Sequence, residues 1–313
     1  MQEQICIAGV DVSKAELVIC MDDRMSGIQQ VPNEAEAIRR WLQKLPQTSI
    51  VAMESSGIYH RLLAQLAHSA GFRVYVLNAR DVHMYAKAIS ARAKTDRLDA
   101  HVIVRYVREN MEHLRVWKPG AEVSEHLQQL LDRGDKLTDE LVKIRQSLRD
   151  VPQLKLQLKQ LEGVFKDVKA QIDKMVEQLL GQEPKLQEDY RRLKTITGVG
   201  LQAGARLSAL FSKIEFANAD AVIAYSGLDP RANDSGTKRG RRSLSKRGPA
   251  ALRRQAYMMA MGACNSKLFK PYYEKLRTRF AGTEALVILG RKLLRIAWAV
   301  WKSGKTFDRS MFA

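Results

Sequence analysis

The stretch ICIAGVDVSKAELVICMDD, residues 5–23, reads as two strands joined by a tight turn. Its first part, residues 5–12, is a short apolar run of the kind that forms a buried strand. Its second part, ELVICMDD (16–23), alternates and can pair with the first across the turn at Ser13–Lys14. GIQQV (27–31) supplies a third strand. Further out, Asn33 is placed to cap the helix EAEAIRRWLQKL, whose first turn is acidic. SIVAME (49–54) is another buried strand, IYHRLLAQLAHSAG (58–71) a helix closed by Gly71, and FRVYVLN (72–78) a further strand. Three strands, helix, strand, helix, strand, helix is the order of an α/β domain with a mixed sheet.

Acids interrupt this apolar pattern at particular points. Asp11 ends the first strand and Glu54 ends SIVAME. AKTDRLDAHVIVRYVR (93–108) places Asp96 and Asp99 three apart at the start of the helix after the last strand. An acid inside a β run is costly unless it is paired or binds a cation. If the first strand and SIVAME run parallel, both acids meet at the carboxyl edge of the sheet. Residues three apart on a helix share a face, so Asp96 and Asp99 can turn to that edge together. Four carboxylates around one point repel one another, and a pair of divalent cations removes the repulsion. Mg²⁺ suits such oxygen ligands and keeps positions open for phosphate, with Mn²⁺ as an alternative. Two ions about 4 Å apart can stabilise both the attacking and the leaving oxygen of a phosphodiester displacement. Each acid also has a structural reading. Asp11 could start a turn, Glu54 could cap a helix entrance, and Asp96 with Asp99 could form a capping-box variant. The four taken together favour the metal site.

Pro119–Gly120 breaks the pattern, giving a first domain of residues 1–120. Residues 121–190 are helical and highly charged, with apolar residues at spacings of three and four on both sides of Pro152. They predict two long antiparallel helices forming a coiled-coil-like arm, which would mediate self-association or space domains. Residues 191–313 form a third, mainly helical region.

The charge is unevenly placed. Residues 1–190 hold 27 basic and 27 acidic side chains, residues 191–313 hold 25 and 7, and the net charge is +18. A basic region beside a neutral one points to a polyanion, most often nucleic acid. The charge concentrates in RANDSGTKRGRRSLSKRGPAALRR (231–254), where Lys238, Arg239, Arg241, Arg242, Lys246, Arg247, Arg253 and Arg254 stand among glycines that permit close backbone approach. The turn TITGVGLQAG (195–204) resembles a helix-hairpin-helix: backbone N–H groups at Gly198 and Gly200 can hold one phosphate without reading bases. A disordered basic loop and an ordinary packed turn are the plainer readings of these two segments.

Three cysteines, far apart and odd in number, suggest a reducing cytoplasm and neither a disulfide framework nor a zinc site. The polar N-terminus enters a strand pattern at once, so no signal peptide is expected. No apolar run approaches the roughly 20 residues of a membrane span.

The pattern GVDVSK, AMESSGIY and KTDRLDA resembles the Asp-Glu-Asp-Asp transposases of a family of bacterial insertion sequences, a group that also holds Piv-like DNA invertases. ITGVG, FANADAVIAYSGLDPRANDSG and SLSKRGPAALRRQAYMMA resemble the same family's C-terminal domain. Only the helical arm lacks a signature of its own. The resemblance implies a RuvC-like first domain with the ribonuclease H fold, Asp11, Glu54, Asp96 and Asp99 as the acidic tetrad, and Ser245 as a nucleophile that links covalently to a DNA phosphate. It also implies donor and target DNA as partners, a structured bridge RNA as guide, and a homo-oligomer, a dimer that becomes a tetramer in the synaptic complex. A serine needs activation, for which Lys246, Arg247 and metal-bound carboxylates are candidates. Ser243 is a rival within the same stretch. A RuvC-like nuclease that uses a metal-activated water, a sugar-kinase-like ATPase and a non-enzymatic nucleic-acid-binding protein are the competing readings. The ATPase lacks a second Gly-rich phosphate motif and leaves the C-terminal charge unexplained.

Overall fold

The structure is a computed structural model of the 313-residue chain. It describes residues 5–21, 27–55, 57–89, 96–231, 234–235, 238–240 and 242–312, with residues 96, 234, 235, 238, 239, 311 and 312 described in backbone only. The chain divides into two compact units, Met1–Pro119 and Gly120–Ala313.

The first unit is built on one sheet. Its strands are β1 (Ile7–Val12), β2 (Glu16–Met21), β3 (Gln29–Pro32), β4 (Ile50–Glu54) and β5 (Arg73–Leu77), in the order β3-β2-β1-β4-β5. β1 pairs antiparallel with β2 and parallel with β4, which pairs parallel with β5. The mixed sheet expected from the strand patterns is therefore present. Alternate residues of each strand serve opposite faces. Val10, Val12, Val51 and Met53 pack with helices α1 (Ala35–Leu42) and α2 (His60–Ser69). Ile7, Ile50, Ala52 and Tyr75 pack on the other side with α4 (Asp96–Asn110), joined by Val82 of α3 (Ala79–Ala88).

Two local expectations need correction. Asn33 does not cap α1: the N-cap is Glu34, without a side-chain hydrogen bond. Asn33 instead donates through Nδ2 to the carbonyl oxygens of Ser13 (2.8 Å) and Tyr59 (3.3 Å), pinning the β1–β2 turn to the approach of α2. The helix of Asp96 and Asp99 also does not follow β5 directly, because α3 comes between them. Gly71 does close α2. It sits at φ +87°, its N–H reaches His68 O, and Phe72 N–H reaches Ala67 O, the paired bonds of a Schellman motif.

The second unit is helical. It holds α5 (Glu122–Ser147), α6 (Lys155–Gln182), α7 (Pro184–Lys194), α8 (Leu201–Lys213), α9 (Ala219–Ser226), α10 (Ala250–Ala263), α11 (Lys270–Arg277) and α12 (Gly282–Ser303). Two short antiparallel ribbons lie between α9 and α10: β6 (Pro230–Arg231) with β9 (Ser243–Leu244), and β7 (Asp234–Ser235) with β8 (Lys238–Arg239). One core joins α8, α9, α10 and α12. A second joins the roots of α5 and α6 to α7 and α8 through Leu127, Leu131, Val176, Leu180, Tyr190 and Ala205. The helical pair expected as an arm thus shares its compact unit with the helices after residue 190. Its far half differs from its root. No residue of α5 after Gly134, nor of α6 before Val176, is buried. Val142, Leu156, Val164, Val168 and Met175 stand exposed there. No helix among the described residues is long and apolar enough to cross a membrane.

Candidate functional site

Asp11 and Glu54 are half-buried on adjacent parallel strands. The last paired residues in the β1–β4 register are Val10 and Met53, so each acid lies one position beyond a matched pair, at the carboxyl edge. Both belong to the set of alternate residues that faces α4, since Ile7 and Ala52 of that set pack against Ile103 and Val104. α4 comes unusually close to β1. A Cβ on Gly9 would sit 2.5 Å from the carbonyl oxygen of Ala100 and 2.7 Å from Cγ2 of Val104. That contact sets half-buried Asp99, the neighbour of Ala100, on the same face as Asp11 and Glu54. Asp96 begins α4 one turn earlier, and its side chain lies outside the described residues.

The carboxylates of Asp11, Glu54 and Asp99 are hard oxygen donors of the kind that suits Mg²⁺ or Mn²⁺. By type they suit a divalent cation. Among the described residues no group of three or more Asp, Glu, His or Cys side chains is drawn together closely enough to hold one.

Ser245 lies in the second unit and is only 3% exposed. β6 and β9 pair Pro230 with Leu244, which sets Asp229 opposite Ser245 at the end of the ribbon. The Ser245 N–H donates to Asp229 O (3.0 Å), and the Ser245 hydroxyl donates to Asp229 Oδ1. Lys246, which follows, has φ +53°, the one positive φ at a residue other than glycine among those described. Its N–H donates to Gly227 O at 2.9 Å. Strained backbone of this kind persists only where its surroundings over-determine it, and here they do. A Cβ on Gly248 would lie 1.8 Å from Tyr225 O, and one on Gly227, itself at φ +69°, would lie 2.7 Å from the nitrogens of Arg247 and Gly248. Arg253 Nη1 donates to Gly248 O (2.5 Å) and Ser226 O (3.3 Å), clamping the two segments together. The close approach expected of Gly248 is therefore made to the chain's own backbone.

The other basic candidates separate by surroundings. Arg242, Lys246 and Arg247 are exposed near the serine, as is Ser243. Lys238 and Arg239 are placed by their backbone in β8, and Arg241 lies outside the described residues. Arg254 pairs with Asp139 of α5. Behind the ribbon, burial and then Arg295 lower the pKa of Arg291 on α12, while Asp229 acts on it in the opposite direction. Gly198 has φ +95°, and a Cβ there would lie 2.4 Å from Met259 O, so its glycine is required by packing against α10. Gly200 is the exposed N-cap of α8. Sequence reasoning missed Asp229. Its one signal is the Asp-Pro pair two residues after the helix-ending Gly227, since a residue before proline is held extended.

A family model described as transposase, of the DEDD type of IS110, matches residues 8–156. The model of the transposase IS116/IS110/IS902 family matches residues 190–274. Two curated relatives, pilin gene-inverting proteins of Moraxella bovis and Moraxella lacunata, are each 26% identical over 264 residues, covering 82% of this chain and 81% of the relative. The first match spans the ribonuclease H-like sheet with its acids and the second spans the helices and ribbon around Ser245, so the chain belongs to the IS110-type family of DEDD transposases.

Proposed function

We propose that this transposase cuts and rejoins DNA through a covalent link between Ser245 and a DNA phosphate, with Asp11, Glu54, Asp96 and Asp99 as the metal-binding tetrad of a RuvC-like domain. The observation that carries the reading is the seat of Ser245: a hydroxyl fixed by paired backbone and followed by a strained lysine, with Arg242 and Arg247 exposed beside it. A divalent cation held by the acids, Mg²⁺ or Mn²⁺, supplies Lewis-acid polarisation of the phosphate. Hydrolysis would discard the phosphodiester bond energy. A phosphoserine keeps it until another strand end reclaims the phosphate. The acids lie in one compact unit and the serine in the other, which suits a site assembled on DNA, in cis or between copies of the chain. The exposed cations suit donor and target DNA and a bridge RNA, bound in the cytoplasm. The apolar residues along the far half of α5 and α6 suit a second copy of this chain.

The test is a denaturing gel of the protein with labelled DNA and Mg²⁺. Wild type should give a protein–DNA adduct, Ser245→Ala none, and Ser243→Ala a near-normal yield. Cleavage without an adduct would favour the water-using nuclease.

A further inference from the structure

The hydroxyl of Ser245 already has a partner that could receive its proton. We propose that Asp229 accepts the Ser245 proton during attack on the phosphodiester; this rests on the reading of Ser245 as the nucleophile.

Three features of the fold support the assignment. The carboxylate and the hydroxyl face each other because their backbones do: Ser245 N–H donates to Asp229 O at 3.0 Å, one step beyond the Pro230–Leu244 pair. Pro230 restricts Asp229 to extended backbone, the conformation that continues the ribbon. Ser245 is 3% exposed, so bulk water is poorly placed to take the proton. A carboxylate accepting the proton of an attacking hydroxyl is an established arrangement in phosphoryl transfer.

Basic side chains surround the Asp229–Ser245 pair. Arg291 acts on Asp229 from α12. Lys246 and Arg247 follow the serine in the chain, and Arg253 of α10 holds the neighbouring carbonyls.

The Oγ–P bond forms as the Oγ proton passes to Asp229. The bond from phosphorus to the deoxyribose oxygen breaks, its electron pair stays on that oxygen, and the oxygen takes a proton from solvent. In the return step a strand hydroxyl attacks the phosphoserine and loses its proton to solvent. The Ser245 oxygen leaves and regains its proton from Asp229.

Asp229→Asn separates a chemical from a structural role. Its side-chain oxygen still accepts the serine hydrogen bond, but it takes no proton. The experiment uses the full-length protein with its co-purified nucleic acid, Mg²⁺ and a labelled duplex spanning the flanks of its own gene, and reads the adduct rate, DNA affinity and thermal midpoint. Asp229→Asn should slow adduct formation by about 10²–10⁴-fold, the usual contribution of general-base catalysis, with affinity and midpoint unchanged. Adding Ser245→Cys to Asp229→Asn should restore an adduct whose rate rises toward pH ~8.5, where a thiol ionises by itself. An Asp229→Asn rate within about threefold of wild type would overturn the assignment and leave the serine reading standing. An adduct that persists in Ser245→Ala would overturn both. Should Asp229→Asn fail to fold, Ser245→Cys with Asp229 intact provides the reading. Its rate should be far less pH-dependent than that of Ser245→Cys with Asp229→Ala, and equal profiles would overturn the assignment.

Discussion

Gly9 of β1 and Ala100 of α4 are in backbone contact, so close that a methyl group on Gly9 would lie 2.5 Å from the Ala100 carbonyl oxygen. On the proposed tetrad the contact bears on function as well as packing, because Asp11 lies two residues after Gly9 and Asp99 one residue before Ala100. Gly9→Ala should therefore push α4 off the sheet and widen the gap between these acids. Overpacking of this kind costs about 1–3 kcal/mol. The loss of strand cleavage should exceed what the lowered thermal midpoint explains. Cleavage assays well below the midpoint, with thermal unfolding in parallel, check this.

Asp11→Ala, Glu54→Ala, Asp96→Ala and Asp99→Ala should each lower strand cleavage by at least about 10²-fold, the scale of losing one group that stabilises transition-state charge. Stability should change by less than about 0.5 kcal/mol, or rise, since neighbouring carboxylates repel one another. A gel-based cleavage assay with Mg²⁺ and a denaturant titration measure the two effects. Wild-type recombination by any two of the variants would remove the tetrad from the mechanism.

Arg206 is 4% exposed and bonds Asp132 and Asp135 of α5, each at 2.8 Å, tying the root of the long helix to α8. Arg206→Met should cost about 1–3 kcal/mol, because it leaves half-buried Asp135 beside Asp132 without its bonded cation. Burial raises the Asp135 pKa above 3.8, and Arg206 works against that rise. The folded protein therefore holds this proton more tightly than the unfolded chain. Its contribution to stability is full below the unfolded pKa and is lost as pH rises through the folded one. Without Arg206 the folded pKa climbs further, so the cost of Arg206→Met should shrink on acidification. Asp135→Asn should recover part of it at neutral pH. Urea titrations at several pH values test both.

Arg242 and Arg247 are exposed beside the serine, whereas Arg253 is engaged by two backbone carbonyls. Arg242→Gln and Arg247→Gln should each flatten the dependence of log affinity on log salt, by about 0.9 on duplex DNA or about 0.7 on a single strand. Arg253→Gln should instead cost about 1–3 kcal/mol of stability. Binding isotherms across a salt series, with thermal unfolding of the same proteins, separate the two classes.

Replacing Leu156, Val164 and Val168 with serine should reduce oligomer mass in light scattering with little change in the thermal midpoint, because these side chains are exposed. An unchanged mass would move the self-association surface elsewhere.

The sheet was legible because its strands are apolar runs with acids only at their ends. Asp11 and Glu54 stand out against Val10 and Met53 by chemistry alone. Their shared face required the observed register, since parallel pairing of β1 with β4 is a long-range fact. Asn33 misled because a short polar side chain before a helix serves equally well to tie down a distant turn. The seat of Ser245 was hidden for a different reason. β6 and β9 are two residues long, too short for any periodicity, and they join positions 12 and 14 apart in the chain. Nothing local announces that Asp229 faces Ser245. Gly198 was read for a ligand, and the packed helix behind it accounts for its lack of a side chain.

The 3% exposure of Ser245 has a consequence for the cell that carries this protein. On the proposed role of Ser245, a phosphodiester cannot reach an oxygen this enclosed, so the seat has to open before any strand is attacked. The opening must be driven by something the isolated chain lacks, and binding to a correctly assembled DNA complex is the available source of free energy. A copy that meets chromosomal DNA by chance then stays inert. Damage to the host is limited by the latency of the weapon as well as by its aim.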